Sequence, residues 1–235
     1  FIFAGNPSLI RSYLVTTYLV IVGTAFNMFF TCLMAYPLSK KNLKGRTFVM
    51  VYVFITMLIG GGLIPYYLVV KATGMIDKLW ALIIPSLISQ WNLILLRNFF
   101  SAIPDSLEES AVIDGANEFT VLWKIIFPVS LPAIATISLF YAVGHWNEFW
   151  GAFIFISDSS KWTLQVYLRQ ILQSLTQALN DMAKGRDMSE LLKRAPPAEQ
   201  VKMATVIAST VPILIVYPFV QKYFVKGVMV GSIKG

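Results

Sequence analysis

Long apolar stretches alternate with short charged ones along this chain, and the lengths of the apolar stretches decide what they are. A helix needs about 20 mostly apolar residues to cross the hydrocarbon of a bilayer. Five stretches answer that description: Tyr13–Tyr36, Phe48–Val70, Leu79–Leu96, Ile125–Trp150 and Ala204–Phe224. The third is short and carries Pro85. Lipid offers backbone N–H and C=O groups no partner, so each stretch is expected as a helix. The fold class that follows is all-α, a polytopic helical bundle forming a single membrane domain over residues 1–235. Trp80, Trp123 and Trp150 fall at predicted span ends, where indole rings prefer the membrane interface.

Two segments between the spans have patterns of their own. In residues 97–125, Ser106 and Glu109 have the spacing of a capping box. Asp105, Glu108 and Glu109 suit the positive end of a helix dipole. Asp114-Gly115 should end that helix, because glycine tolerates the backbone angles of a C-cap. A second short helix is expected over Asn117–Ile126, with Pro128 and Pro132 bending the chain into the fourth span. In residues 151–203, Leu164, Leu168, Ile171, Leu172 and Leu175 recur at helical spacing and predict an amphipathic helix along the membrane surface. Asp181–Pro197 reads as a polar loop.

Composition agrees with a bilayer setting. The chain is 57% hydrophobic and only 13% charged, against about 25% charged in soluble domains. The net charge of +7 sits between apolar runs rather than on one polar face, which argues for positive-inside topology and against a nucleic-acid partner. Lys40, Lys41, Lys44 and Arg46, with no acid among them, place the connector after the first span in the cytoplasm. Alternation then puts Lys71–Lys78 outside, 97–125 inside, 151–203 outside and the tail inside. Phe1 falls outside by this count, and the chain begins with Phe rather than Met, so a further span upstream is expected.

Several chemistries are not indicated. Cys32 is the only cysteine and His145 the only histidine, which excludes an intrachain disulfide and a Cys/His zinc cluster. No G-x-x-x-x-G-K-[ST], H-E-x-x-H or G-x-S-x-G occurs.

Polar residues inside spans are costly and usually face the bundle interior or a water-filled path. At 100° per residue, Ser138, Tyr141, His145 and Glu148 share an arc of about 80°. Ser86, Ser89, Gln90 and Asn92 share about half the circumference of the third span. Trp91, Asn92, Tyr141 and Asn147 are candidates to line such a path. The alternative is a seam that only joins helices. Gly60-Gly61-Gly62 permits a close approach or a break. Thr205, Ala208, Ser209 and Pro212 form a small-residue packing face.

One run narrows the function. Glu109-Ser110-Ala111, then Asp114-Gly115-Ala116, then Ile125-Ile126-Phe127-Pro128 resembles the signature loop of inner-membrane permease subunits of binding-protein-dependent ABC importers. The family pattern reads E-A-A, two residues, D-G-A and, about eight residues on, I-x-L-P; Ser110 and Phe127 are the departures. GGGLIPYYLVV at Gly60–Val70, NFFSAIPDSLEE at Asn98–Glu109, HWNEFW at His145–Trp150 and YPFVQKYFVKG at Tyr217–Gly227 are similar to the maltose-type carbohydrate branch, and in detail to the subset for complex or acidic oligosaccharides. The resemblance implies a multi-pass protein of the bacterial inner membrane that does not hydrolyse ATP. It implies an ABC ATPase dimer that binds ATP and Mg, a homologous second permease subunit, an extracytoplasmic binding protein and surrounding lipid. It implies no cofactor in this chain. Glu108, Glu109, Ala111, Asp114, Gly115 and Ala116 would couple to the ATPase, with Glu109 pairing a basic residue there, Ala111 packing closely and Gly115 allowing the sharp turn. Ser89, Gln90, Trp91, Asn92, Ser138, Tyr141, His145, Asn147 and Glu148 would be the candidates for the substrate pathway. Arg169, Lys184, Arg186, Lys193 and Arg194 in the outer region suit an acidic saccharide or an acidic partner face.

Three rivals remain. An ion-coupled secondary transporter or channel needs ionisable groups near the midplane, and only His145 and Glu148 qualify. A membrane-embedded enzyme needs a nucleophile–base set, which the chain lacks. A permease of the same superfamily for a non-sugar solute differs only in substrate.

Overall fold

The computed structural model describes residues 7–183, 200 and 203–215, and among these there are helices and turns but no strand. Lys184, Arg186, Lys193, Arg194, most of the polar stretch to Pro197, Tyr217–Gly227 and the end of the fifth expected span lie outside the described residues.

A 33-residue helical rod, Pro7–Ser39, is apolar enough to cross a membrane. It comprises α1 (Pro7–Tyr18), one π-type turn at Leu19–Gly23 and α2 (Thr24–Ser39). The second expected span is α3 (Arg46–Leu58) and α4 (Leu63–Ala72), bent by 116°. The glycine run supplies the break: Gly62 stands at φ +79, which costs a residue without Cβ little.

The third expected span is not a continuous helix. Leu79–Leu82 forms a single 3₁₀ turn, 83–89 is irregular, and α5 runs Gln90–Ser101. Pro85 cannot donate a helical hydrogen bond. The Ser86 hydroxyl donates back to the carbonyls of Leu82 (3.1 Å) and Ile83 (3.3 Å). Ser89 caps α5, accepting from the Asn92 amide. The polar residues that periodicity assigned to one helix face are in part what breaks the helix.

Next come α6 (Asp105–Ile113) and α7 (Glu118–Val121), a π-type turn at Leu122–Ile126, α8 (Phe127–Val129) and α9 (Leu131–Trp146). Pro128 and Pro132 bracket an 87° bend between the helical stretch ending at Val129 and α9. That helix stops at Trp146, short of the expected Trp150, and α10 begins there (Trp150–Phe155). Trp123 packs among Phe29, Phe119 and Phe127.

The amphipathic helix is α11 (Leu164–Ala183). Its first turns do not merely lie on lipid, for Leu164 and Leu168 are buried in a cluster with Leu9 of α1. A shorter apolar helix, α12 (Met203–Ile215), meets the bundle through its small residues. Tyr13 donates to the Ala208 carbonyl at 2.7 Å and the Trp146 indole to that of Ser209 at 2.9 Å.

By length and composition, one described helix can cross a membrane, or three if each bent pair is one span. The buried apolar residues form two main clusters. One joins α2, α5, α6, α7 and α9 and includes Cys32, Leu96, Ala111 and Ile126. The other joins Leu19, Val70, Ile83, Phe155 and Val166. Along the rod, Asn27 stands between Leu19 of one cluster and Met28 of the other. Each cluster therefore serves one end of the bundle. Lys40–Arg46, Arg97 and residues 105–118 gather at one end, called here the loop end. Lys71–Lys78 and 148–163 gather at the far end.

The far end is organised by Asp77, at φ +60. Its amide donates to the Phe155 carbonyl at 2.8 Å. Its carboxylate accepts from the amides of Ser157 (3.1 Å) and Asp158 (2.9 Å) and from Lys161 (3.2 Å). The bond from the Asp158 amide is the leading reason the Asp77 carboxyl is held below its ordinary range.

Candidate functional site

The loop begins with Pro104 at the N-cap of α6, where its fixed φ fits the helix start and no side-chain cap forms. The expected capping box is absent, because Ser106 already lies inside the first turn rather than at the cap. The end of α6 matches expectation. The Gly115 amide donates to the Val112 carbonyl (3.0 Å) and the Ala116 amide to that of Ala111 (2.9 Å). With Gly115 at φ +83 this is a Schellman ending. Asn117 then caps α7, its side-chain oxygen accepting from the Thr120 amide at 2.8 Å.

This hinge sorts the loop residues. Ala111 is buried in this chain's own core, and Ala116 packs against that core. Glu109, Asp114 and Gly115 are exposed. So are Val112, Phe119 and above all Ile113, at 85%. The loop thus presents an apolar knob edged with carboxylates, fixed from behind by its small residues. Glu108 turns the other way, pairing with Lys40 at the tip of α2. The Tyr36 hydroxyl donates to Glu118 Oε2 at 2.7 Å. Between the α2 tip and the loop lies an open cleft of about 1000 Å³. Burial there holds the Lys40 ammonium below its ordinary range, while Glu118 and Asp105 pull the other way.

A polar layer crosses the waist between the two apolar clusters. Asn27 Nδ2 donates to the carbonyls of Ser86 (2.7 Å) and Leu87 (2.8 Å). Those partners only accept, so the Asn27 oxygen faces His145, 2.7 Å from Nε2. His145 therefore carries its proton on Nε2 and donates it. The ring packs so closely on the rod that a Cβ on Gly23 would lie 2.7 Å from His145 Cε1. One turn along, the Tyr141 hydroxyl accepts from the Ser89 amide (3.0 Å) and shares a hydrogen bond with Thr31 (2.8 Å). Side chains of α2 and α9 thus satisfy the Ser86 and Leu87 carbonyls and the Ser89 amide in the broken third span, the kind of partner a non-helical segment at membrane depth requires.

The sequence-selected polar residues divide accordingly. Asn92, Tyr141 and His145 are buried, and Ser138, Ser89 and Gln90 are half-buried. Trp91 (57%) and Asn147 are exposed. Glu148 closes its own turn, accepting from the Gly151 amide at 2.8 Å. Asn27 and Thr31 were missed by periodicity. Their signal was an asparagine and a threonine four residues apart in an otherwise apolar run, a spacing that puts them on one helix face. Tyr36 and Lys40, again four apart, carried the same kind of signal.

With this geometry, likeness to known proteins becomes informative. Residues 27–230 match the family described as the binding-protein-dependent transport system inner membrane component. The polygalacturonan/rhamnogalacturonan transport system permease protein YtcP of Bacillus subtilis (strain 168) is 51% identical over 226 residues, covering 96% of this chain and 77% of the relative. Protein LplC of the same organism is 48% identical over 233 residues, covering 98% and 76%. The crystal structure of a bacterial ABC transporter involved in the import of the acidic polysaccharide alginate superposes with a TM-score of 0.83 at 34% identity, covering 94% of this chain and 76% of that one. Sequence, fold and loop agree, and the chain belongs to the family of binding-protein-dependent transport system inner membrane components.

Proposed function

We propose that this chain is one of two permease subunits lining the pathway of an ATP-driven importer, and that its cargo is an acidic oligosaccharide of the uronate class. The observation that carries the reading is the loop-end knob: exposed Ile113, Val112 and Phe119 edged by Glu109, held rigid by the Schellman turn. An exposed apolar surface of this kind needs a partner, and an ABC ATPase dimer, binding the ATP and Mg, is the partner that fits. The names of the relatives support the cargo class, since one concerns polygalacturonan and another structure an acidic polysaccharide.

In this reading a loaded binding protein docks at the far end. ATP closes the ATPase dimer and draws the two loops together, and the bundle switches its opening from inside to outside. Trp91 and Asn147, exposed on the bundle, meet the sugar, an aromatic face and an amide being suited to one. Asn92, Tyr141 and His145 stay in the scaffold. This chain contributes no catalytic group.

The test is reconstitution in proteoliposomes with the ATPase and binding protein. ATP-dependent uptake of oligogalacturonides, exceeding that of neutral oligosaccharides of equal length, is the expected result. Equal uptake of neutral chains would overturn the cargo class, and absence of any associated ATPase would overturn the function. Glu109→Lys should weaken ATPase attachment and uncouple transport.

A further inference from the structure

We infer that Tyr36 and Lys40 at the tip of α2 are positioning residues, which hold the loop in register with the long rod. The inference rests on the reading of the loop as the ATPase contact and names the part of this chain that receives its movement.

The geometry is specific. The turn at Asp114-Gly115 separates α6 from α7, and a Cβ at Gly115 would meet nothing, so the outer side of the turn is uncovered. The loop is tied down on either side instead. Glu108 reaches out from α6 and Glu118 from the first turn of α7. Both carboxylates converge on one helix tip: Glu108 on Lys40, Glu118 on the Tyr36 hydroxyl at 2.7 Å. The Lys40 ammonium lies 4.4 Å from the centroid of the Tyr36 ring, close enough for a cation–π contact. The circuit α6–Lys40–Tyr36–α7 is therefore closed.

The tip is itself fixed to α3 and α5. Arg46 and Arg97 each donate from Nε to the Leu38 carbonyl at 3.1 Å, and Ser101 donates to the Ser39 carbonyl at 3.2 Å. Cations at a helix C-terminus are favoured by the dipole. A displacement of the loop must therefore carry the α2 tip with it or break both carboxylate contacts. Through α2 it reaches Thr31 and Asn27, and so the polar waist. The Tyr36 ring is itself buried in the loop-end cluster, so the links are best cut at its hydroxyl or at Lys40, leaving the ring in place.

The experiment compares the assembled complexes of the full chain, the second subunit, the ATPase and the binding protein. Three quantities are read in each: ATPase retained on purification, basal ATP hydrolysis, and the stimulation of hydrolysis and transport by loaded binding protein. Lys40→Glu should retain the ATPase and basal hydrolysis but lose stimulation on the order of tenfold. Adding Glu108→Lys, which restores opposite charges with the positions exchanged, should recover most of it. Tyr36→Phe, which keeps the ring and removes the hydrogen bond, should show a smaller loss of the same kind. If Lys40→Glu does not accumulate, Tyr36→Phe and Glu118→Gln decide the matter alone. Full stimulation in the single variants, or no recovery in the exchanged pair, would overturn the positioning role while leaving the loop as the ATPase contact. A wild-type chain that retains no ATPase would overturn the underlying reading as well.

Discussion

The two ends of the bundle are both charged, but they use charge differently. At the far end, Asp77 takes two backbone amides and a lysine, and its own amide is bonded to the Phe155 carbonyl. Such a hub fixes backbone to backbone and leaves little room to move. At the loop end, the polar contacts from the α2 tip to α6 and α7 are single side-chain pairs beside an open cleft of about 1000 Å³. One end is built as a fixed frame and the other as a set of separable ties. The polar waist links them, so a change at the loop end can be resisted or passed on without melting either apolar cluster.

Three substitutions sharpen this contrast. Gly23→Ala should have the largest effect, because its methyl would collide with the His145 ring and disturb the bond to Asn27. Overpacking together with a strained buried hydrogen bond predicts a loss of about 3 kcal/mol, read as a lower Tm in detergent. An unchanged Tm would show that the waist is not a rigid joint. Gly115→Ala comes next, with open space around the new methyl but a φ of +83. It should cost about 1–2 kcal/mol, confined to the turn. Transport should fall while Tm drops by less than in Gly23→Ala; a Tm drop as large as that of Gly23→Ala with transport intact would reverse the assignment of the loop end as the moving one.

Asp77→Asn should have the smallest effect, visible in acid. The Asp77 and Asp158 carboxyls are held down by backbone and side-chain hydrogen bonds, and Lys161 is held up mainly by its bonds to the two of them. Depressed carboxylates favour the folded form above their ordinary value of 3.8, and that contribution fades as pH drops through the shifted values. The lysine's share persists through neutral pH and fades only in strong base. Melting curves taken toward acid should therefore fall more steeply for wild type than for the variant. Parallel curves would remove Asp77 from its role as the far-end hub.

Much of this was legible in the residues. Gly115 and the acids before it gave the helix–turn–helix of the loop, and Pro128, Pro132 and Gly60–Gly62 gave the sharp bends. Tyr141 and His145 were found on one face because helical periodicity governs a single element. What periodicity could not supply was their partners. His145 meets Asn27, 118 positions away, and the Ser89 amide meets Tyr141, 52 positions away. The same limit explains the third span. Ser86 and Ser89 were counted as a polar stripe on a helix, whereas Pro85 ends the helix there and the serines close the gap. Ser106 failed as a cap because Pro104 starts the helix earlier. Lys40 was read only as a topology marker, since nothing local points from it to Glu108.

The 33 residues of Pro7–Ser39 have a consequence in plain length. At 1.5 Å per residue they extend about 50 Å, against a hydrocarbon thickness of about 30 Å. Held upright, this helix would exceed the oil by some 20 Å. A rock of only 10° about one extremity would sweep the other sideways by roughly 9 Å, a gearing that turns a slight inclination into a displacement as wide as a sugar ring.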